Sequence, residues 1–151
     1  MLIDETTFKL LKSAIHKDGW LNLPAYGNSM YPYIQQGDLC RFTPCDPSLI
    51  KTGDVILFFS ETGQLIAHRF VQKKTIKNKQ IFLFKGDTNL GLDQPIEAGK
   101  ILGRLISIEK QNFKITSNQI TARLWAKLIL MVPALSGILR KLINMKYKLQ
   151  F

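Results

Sequence analysis

Cysteine is scarce: Cys40 and Cys45 are the only two in 151 residues. Two thiols make no disulfide framework, and no further Cys or His lies near enough in sequence to complete a zinc site. They read as reduced, partly buried small residues, with one dispensable disulfide as the alternative. No metal or cofactor is implied. Acidic residues stop at Glu109. Residues 110–151 hold eight of the 21 basic side chains and none of the 11 acidic ones, so most of the net charge of +10 belongs to a tail. Such a tail suits anionic lipid, nucleic acid or an acidic partner, and charge alone does not choose. The N-terminal stretch also lacks a long apolar run. Asp4, Glu5, Lys9 and Lys12 break up Met1–Ile15, so no targeting signal or N-terminal membrane anchor is expected there.

What is present is enough for one domain with a real core. Phe8, Leu11 and Ile15 form one stripe over Thr6–His16, with Leu10 beside it, which predicts a short amphipathic helix ended by Asp18-Gly19. Gly27, Pro32 and Gly37 exclude a long helix from AYGNSMYPYIQQGD. Strand patterns follow at Asp38–Thr43, VILFF, LIAHRFV, IFLF and ILGRLISIEK, with Gly103 marking a bulge. Glu61-Thr62-Gly63-Gln64 reads as a turn, and the Lys/Asn-rich stretch 72–80 as a solvated loop. The body, residues 1–110, is therefore expected to be mostly β, a coiled or barrel-like sheet with a short N-terminal helix.

Residues 111–151 differ in character. Leu124–Leu139 is almost wholly apolar, interrupted by Lys127, and its uncharged run Leu128–Leu139 spans twelve residues. That is short of the roughly 20 needed to cross a bilayer. It suits helices lying in a membrane interface, with the flanking Lys and Arg at the headgroups. Helices packed on the sheet or at a dimer contact are the alternative.

Chemistry centres on GNSMYP. Gly27 and Pro32 confine Ser29 to a tight loop that could hold a hydroxyl in place, although most serines in such loops are turn residues. A serine becomes a nucleophile only beside a base. His68 is one of two histidines and shares its strand face with Ile66 and Phe70. It reads either as a core histidine or as an acceptor for the serine proton, since histidine titrates nearest neutrality. His16 reads as surface. Asp87 and Asp93 lie in a Gly-rich loop and suit either turn capping or the orientation of a histidine. Asp54 reads as a brace at a strand start, and Lys85 as a partner for a carboxylate.

In order over roughly residues 24–108, GNSMYP, QQGDLCRF, GDVILFF, AHRF and FKGDTNLGLD resemble conserved boxes of the signal peptidases. These are the serine box, the strand after it, the second conserved strand, the base-bearing box and the Lys-Gly-Asp-Asn box. The base position holds His68, followed by Arg69, as in the endoplasmic-reticulum-type branch, where most bacterial members have lysine. The resemblance implies that Ser29 is the nucleophile, His68 the general base and acid, and Asp93 the third member. Asp87 takes a supporting or structural role, and the Ser29 backbone N–H donates to the oxyanion. Gly27 stands where many lysine-type relatives have a hydroxyl that supplies a second donor.

The expected activity is endoproteolysis of a signal, leader or propeptide with small side chains before the scissile bond. Met30, Tyr31, Tyr33 and Phe70 would line either a substrate groove or the core. The expected location is the cytoplasmic face of a membrane, with a soluble cytoplasmic protein as the alternative. Two other functions compete. One is a self-cleaving-repressor type of peptidase, whose lysine base and DNA-binding domain are not evident here. The other is a non-enzymatic lipid- or nucleic-acid-binding β module. The tail lacks interleaved aromatic platforms, so nucleic acid is not expected.

Overall fold

The first helix obeys the local rules that predict it. In the computed structural model, which describes residues 1–149, α1 runs over Glu5–Asp18. It starts where the Asp4 carboxylate accepts the Thr7 N–H at 2.7 Å. It stops at Gly19, whose φ of 78° closes the left-handed cap on the Ile15 carbonyl. Phe8 and Ile15 are buried, while Leu10 faces solvent.

Eight strands follow: β1 (Leu21–Pro24), β2 (Leu39–Thr43), β3 (Val55–Phe59), β4 (Leu65–Ile76), β5 (Lys79–Lys85), β6 (Ile96–Glu97), β7 (Ile101–Glu109) and β8 (Lys114–Thr116). They form one curled antiparallel sheet in the order β1-β2-β7-β3-β4-β5-β6, with β8 beside β7. The protein is mostly β, as the pattern of short strands predicts. β1, β6 and β8 are short additions that the strand patterns leave out.

β3 explains its own sequence. All five residues of VILFF are buried because the strand is covered on both faces, so no polar alternation survives. Val55, Leu57 and Phe59 join a core with Phe8, Ile15 and Met30, whereas Ile56 and Phe58 join a second core with Phe70, Phe82 and Phe84. Each fully buried side chain of this size contributes about 1.5–3 kcal/mol. Phe58 stacks on Phe84 with ring centroids 4.4 Å apart.

The stretch 72–80 is not a loop. Gln72–Ile76 pairs with Lys79–Leu83 across a two-residue turn at Lys77-Asn78, with φ of 49° and 62°. Positive φ at both central residues gives the turn the twist of its strands. From Gln72 onward the β4 side chains are exposed. Lysine and threonine there report an exposed ribbon rather than an unpaired backbone.

Gly103 lies where the register of β7 against β3 shifts, with Leu57 opposite Gly103 but Phe58 opposite Ile101. A Cβ at Gly103 would sit 2.7 Å from the Thr43 carbonyl oxygen and 2.8 Å from Ile15 Cδ1. The glycine therefore lets α1 approach the sheet, and β2 approach β7 within it, closely.

After β8 the chain forms α2 (Ile120–Met131) and α3 (Pro133–Lys148), which bend by 100° at the break between them. Pro133 opens α3, where a missing N–H costs nothing and φ is already helical. Ala122, Ile129, Ser136 and Leu139 point inward, so both helices pack on the body while their outer faces remain exposed. Among the described residues no single helix is long and apolar enough to cross a membrane.

Gly103→Ala should destabilise the fold by about 1–3 kcal/mol through overpacking. Urea unfolding with an unchanged m-value would show it, and an unaltered midpoint would mean that the close approach is not tight.

Candidate active site

Ser29 occupies the loop between β1 and β2, which closes on itself where the Ala25 N–H meets the Asp38 carbonyl and the Gly37 N–H meets that of Ala25. Gly27 enters the loop at φ 72°, a left-handed conformation that side chains disfavour. Immediately after Ser29, Met30 and Ile34 are buried, and the Ile34 N–H donates to the Met30 carbonyl at 2.9 Å. This turn pins the loop to the core. From outside, the Thr88 N–H and hydroxyl both donate to the Ser29 carbonyl, at 2.9 and 3.2 Å. The partner loop comes close enough that a Cβ at Gly86 would lie 2.9 Å from the Ser29 carbonyl oxygen.

Three predicted site residues meet. His68 stands on β4 opposite Ile56, only 6% exposed, with the Phe58 ring edge-on at 6.3 Å. Its Nε2 lies 2.9 Å from Ser29 Oγ, and its Nδ1 lies 2.6 Å from Asp93 Oδ2. A carboxylate at Nδ1 accepts only, so Nδ1 carries a proton. In the neutral ring Nε2 is then the acceptor, and the Ser29 hydroxyl must donate to it. Asp93 is itself held by its N–H to the Phe84 carbonyl at 2.8 Å. The chain Asp93–His68–Ser29 therefore points the serine proton at a base.

Asp87 goes elsewhere. Both its oxygens are engaged by Arg69, from Nε at 2.7 Å and Nη2 at 2.9 Å, and Oδ2 also accepts the Trp125 indole N–H at 2.9 Å. Arg69 gives its remaining arm to the Gly53 carbonyl and lies 4.8 Å over the Tyr33 ring. The two side chains are only 2% and 1% exposed. Neighbours on a strand project to opposite faces. The loop 86–93 thus meets β4 twice, at Arg69 through Asp87 and at His68 through Asp93. Between these two contacts it presents Thr88 to Ser29.

Other residues take different places. Lys85 does not pair with a carboxylate: its Nζ donates to Ser136 Oγ in α3 at 3.1 Å, because that helix packs over the end of β5. Asp54 braces the start of β3 by accepting the Lys51 N–H. His16 lies at the surface, its ring against the Lys12 carbonyl. Met30 lines the cavity beside the serine, whereas Phe70 belongs to the second core. Thr88 and Trp125 escaped sequence reasoning. Thr88 reads as one more turn residue, and the only signal for Trp125 is an aromatic in an apolar helix.

A cavity of about 310 Å³ adjoins the pair Ser29–His68. Two stretches, 23–27 and 64–68, line it together with Met30, Phe42 and Leu57. β3 covers one edge of Leu65–His68, but β5 begins only opposite Arg69. On that open edge the Leu65 N–H donates to the Met1 carbonyl at 2.9 Å, and Leu2 bridges Gln64. The backbone of Ala67 faces the same edge, by the two-residue repeat, and has no strand partner there among the described residues. Cys40 also lines the cavity, but burial pushes its thiol up to about 12, and that of Cys45 to about 11. Both stay protonated near neutrality and compete poorly as nucleophiles.

Breaking the buried pair by Asp87→Asn or Arg69→Met should cost about 3–5 kcal/mol of stability. Ser29→Ala should cost no more than about 1 kcal/mol, since it removes one hydrogen bond. Urea unfolding of the three variants separates the two roles, and a small effect at Asp87 would contradict the clamp.

Compared with models of known protein families and with curated protein sequences, the chain matches none.

Proposed function

We propose that the protein is a serine endopeptidase of the histidine-type signal-peptidase kind, cleaving a signal, leader or propeptide through an acyl-enzyme. The observation that carries the proposal is the hydrogen-bonded series Asp93 Oδ2, His68 Nδ1, His68 Nε2 and Ser29 Oγ, with spacings of 2.6 and 2.9 Å, beside an open cavity. The spacings alone would suit a buried polar network. A nucleophile beside a base, a base beside an orienting carboxylate and room for a substrate together suit catalysis.

The steps follow from the proton positions. Ser29 Oγ attacks the scissile carbonyl carbon as its proton moves to His68 Nε2. Asp93 stabilises the resulting imidazolium and keeps the ring in the correct tautomer. Negative charge gathers on the former carbonyl oxygen, and the Ser29 N–H, which makes no hydrogen bond among the described residues, is the donor nearest the reacting atom. His68 then gives the proton from Nε2 to the departing amine. This breaks the C–N bond and leaves an ester on Ser29. Water, deprotonated by His68, attacks the ester, and collapse returns the proton to Ser29 Oγ.

The substrate would bind as an extended strand against the open edge at Ala67, its side chains alternating between cavity and solvent. The cavity measures about 310 Å³, which suits small or modest apolar side chains near the cleaved bond. The resemblance of the five sequence boxes supports the same reading.

With a mixture of short peptides bearing small residues, cleavage is expected from the native chain. Ser29→Ala and His68→Ala should each lower kcat by at least about 10³-fold, and the double variant should be no worse than either single one. Asp93→Asn should fall by a similar order, since it loses the tautomer. Mass spectrometry of the products reads all four variants, and Ser29→Ala cleaving at the native rate would refute the proposal.

A further inference from the structure

The outer face of α3 takes no part in the chemistry at Ser29. Ile138, Leu142 and Met145 of α3 and Leu149, the helical residue that caps it, are spaced i, i+4, i+7 and i+11, which puts them on one stripe. All four are exposed, by 53%, 51%, 59% and 84%. The inward stripe of the same helix, with Ser136 and Leu139, is buried against the body. α3 is therefore apolar on two sides, and among the described residues only the inward side has a protein partner.

The apolar stripe and the charge beside it together point to what covers the other side. Lys141 and Lys148 flank the exposed stripe on one side and Lys146 on the other, and no acidic residue occurs after Glu109. Lysine stems lie along apolar surface while their ammonium groups reach outward. A symmetric second copy would bring these lysines toward their own equivalents, which disfavours a homodimer. An anionic bilayer surface satisfies both features at once, taking the apolar stripe among its acyl chains and the lysines at its headgroups. The 16 helical residues of α3 extend only about 24 Å at 1.5 Å per residue. This is less than the roughly 30 Å of a hydrocarbon core, so α3 by itself is too short to cross one.

We propose that α3 is an interfacial helix that docks the protein on an anionic lipid surface through Ile138, Leu142, Met145 and Leu149. The same helix is fastened to the site. Tyr147 hydrogen-bonds Asn28, the residue before Ser29, and Ser136 receives Lys85. Gly137 packs beside Leu90 in the loop that carries Asp93. Docking of α3 therefore holds the Ser29 loop close to the lipid surface. The sequence segment Leu124–Leu139 is thus only partly the docking element: Ile129 and Leu139 within it are buried, and the lipid-facing stripe runs on to Leu149.

Co-sedimentation of the full chain with two kinds of vesicle tests this, independently of any catalysis. The chain should bind vesicles of phosphatidylcholine mixed with phosphatidylglycerol, and bind phosphatidylcholine alone at least tenfold more weakly. Leu142→Glu, an exposed change that should leave the melting temperature unaltered, should reduce binding at least tenfold. Each of Lys141→Gln and Lys148→Gln should reduce it about fivefold and weaken its salt dependence. Failure to bind either vesicle would overturn the proposal, as would native binding by Leu142→Glu. So would light scattering that shows a dimer dissociated by Leu142→Glu, or binding to duplex DNA in place of vesicles.

Discussion

The buried pair of Arg69 and Asp87 is the constraint on which the rest of the site depends. An arginine that is 2% exposed needs every donor satisfied, and here they reach one carboxylate, the Gly53 carbonyl and the face of Tyr33. Those partners lie on the loop after β5, the turn before β3 and the segment after Ser29. One guanidinium therefore gathers three separate parts of the chain around the strand that carries His68. The Trp125 indole joins the same carboxylate and brings α2 into the arrangement.

Positioning by this pair leaves the adjacent chemistry free. Asp87 is fully occupied by Arg69 and Trp125, so Asp93 alone faces the imidazole. The two aspartates of the loop thus divide the work, the buried Asp87 fastening it and the partly exposed Asp93 orienting the imidazole. Thr88, between them, holds the Ser29 carbonyl and sets where the hydroxyl sits relative to Nε2. In the proposed peptidase, small displacements of this loop would change the Ser29–His68 distance directly.

Much of this was legible in the sequence, because local rules and tertiary demands agree. The stripe of Phe8 and Ile15 predicts α1, and the unbroken run VILFF predicts a strand; that the strand is covered on both faces is shown only by the fold. Gly103 marked the register shift in β7. The ordered boxes placed Ser29, His68 and Asp93 together before any distance was known. What was not legible depends on partners distant in sequence. Nothing local distinguishes Trp125, which bonds Asp87 across 38 positions, from its apolar neighbours. Lys85 carries the charge to seek a carboxylate, but packing of α3 offered it Ser136 instead. Residues 72–80 misled because polar composition reports exposure, and an exposed ribbon can pair its backbone as fully as a buried strand. The division of the tail into inward and outward stripes depends on the turn between α2 and α3 at Val132.

In the proposed chemistry everything follows from His68 acting as a base for Ser29 under the guidance of Asp93. A fluorophosphonate probe, which reacts with an activated serine hydroxyl and needs no knowledge of the substrate, measures this directly. Mass spectrometry should find the native chain modified once, at Ser29, with labelling abolished in His68→Ala and strongly slowed in Asp93→Asn. A native chain that takes no label, or a His68→Ala variant labelled at the native rate, would contradict it.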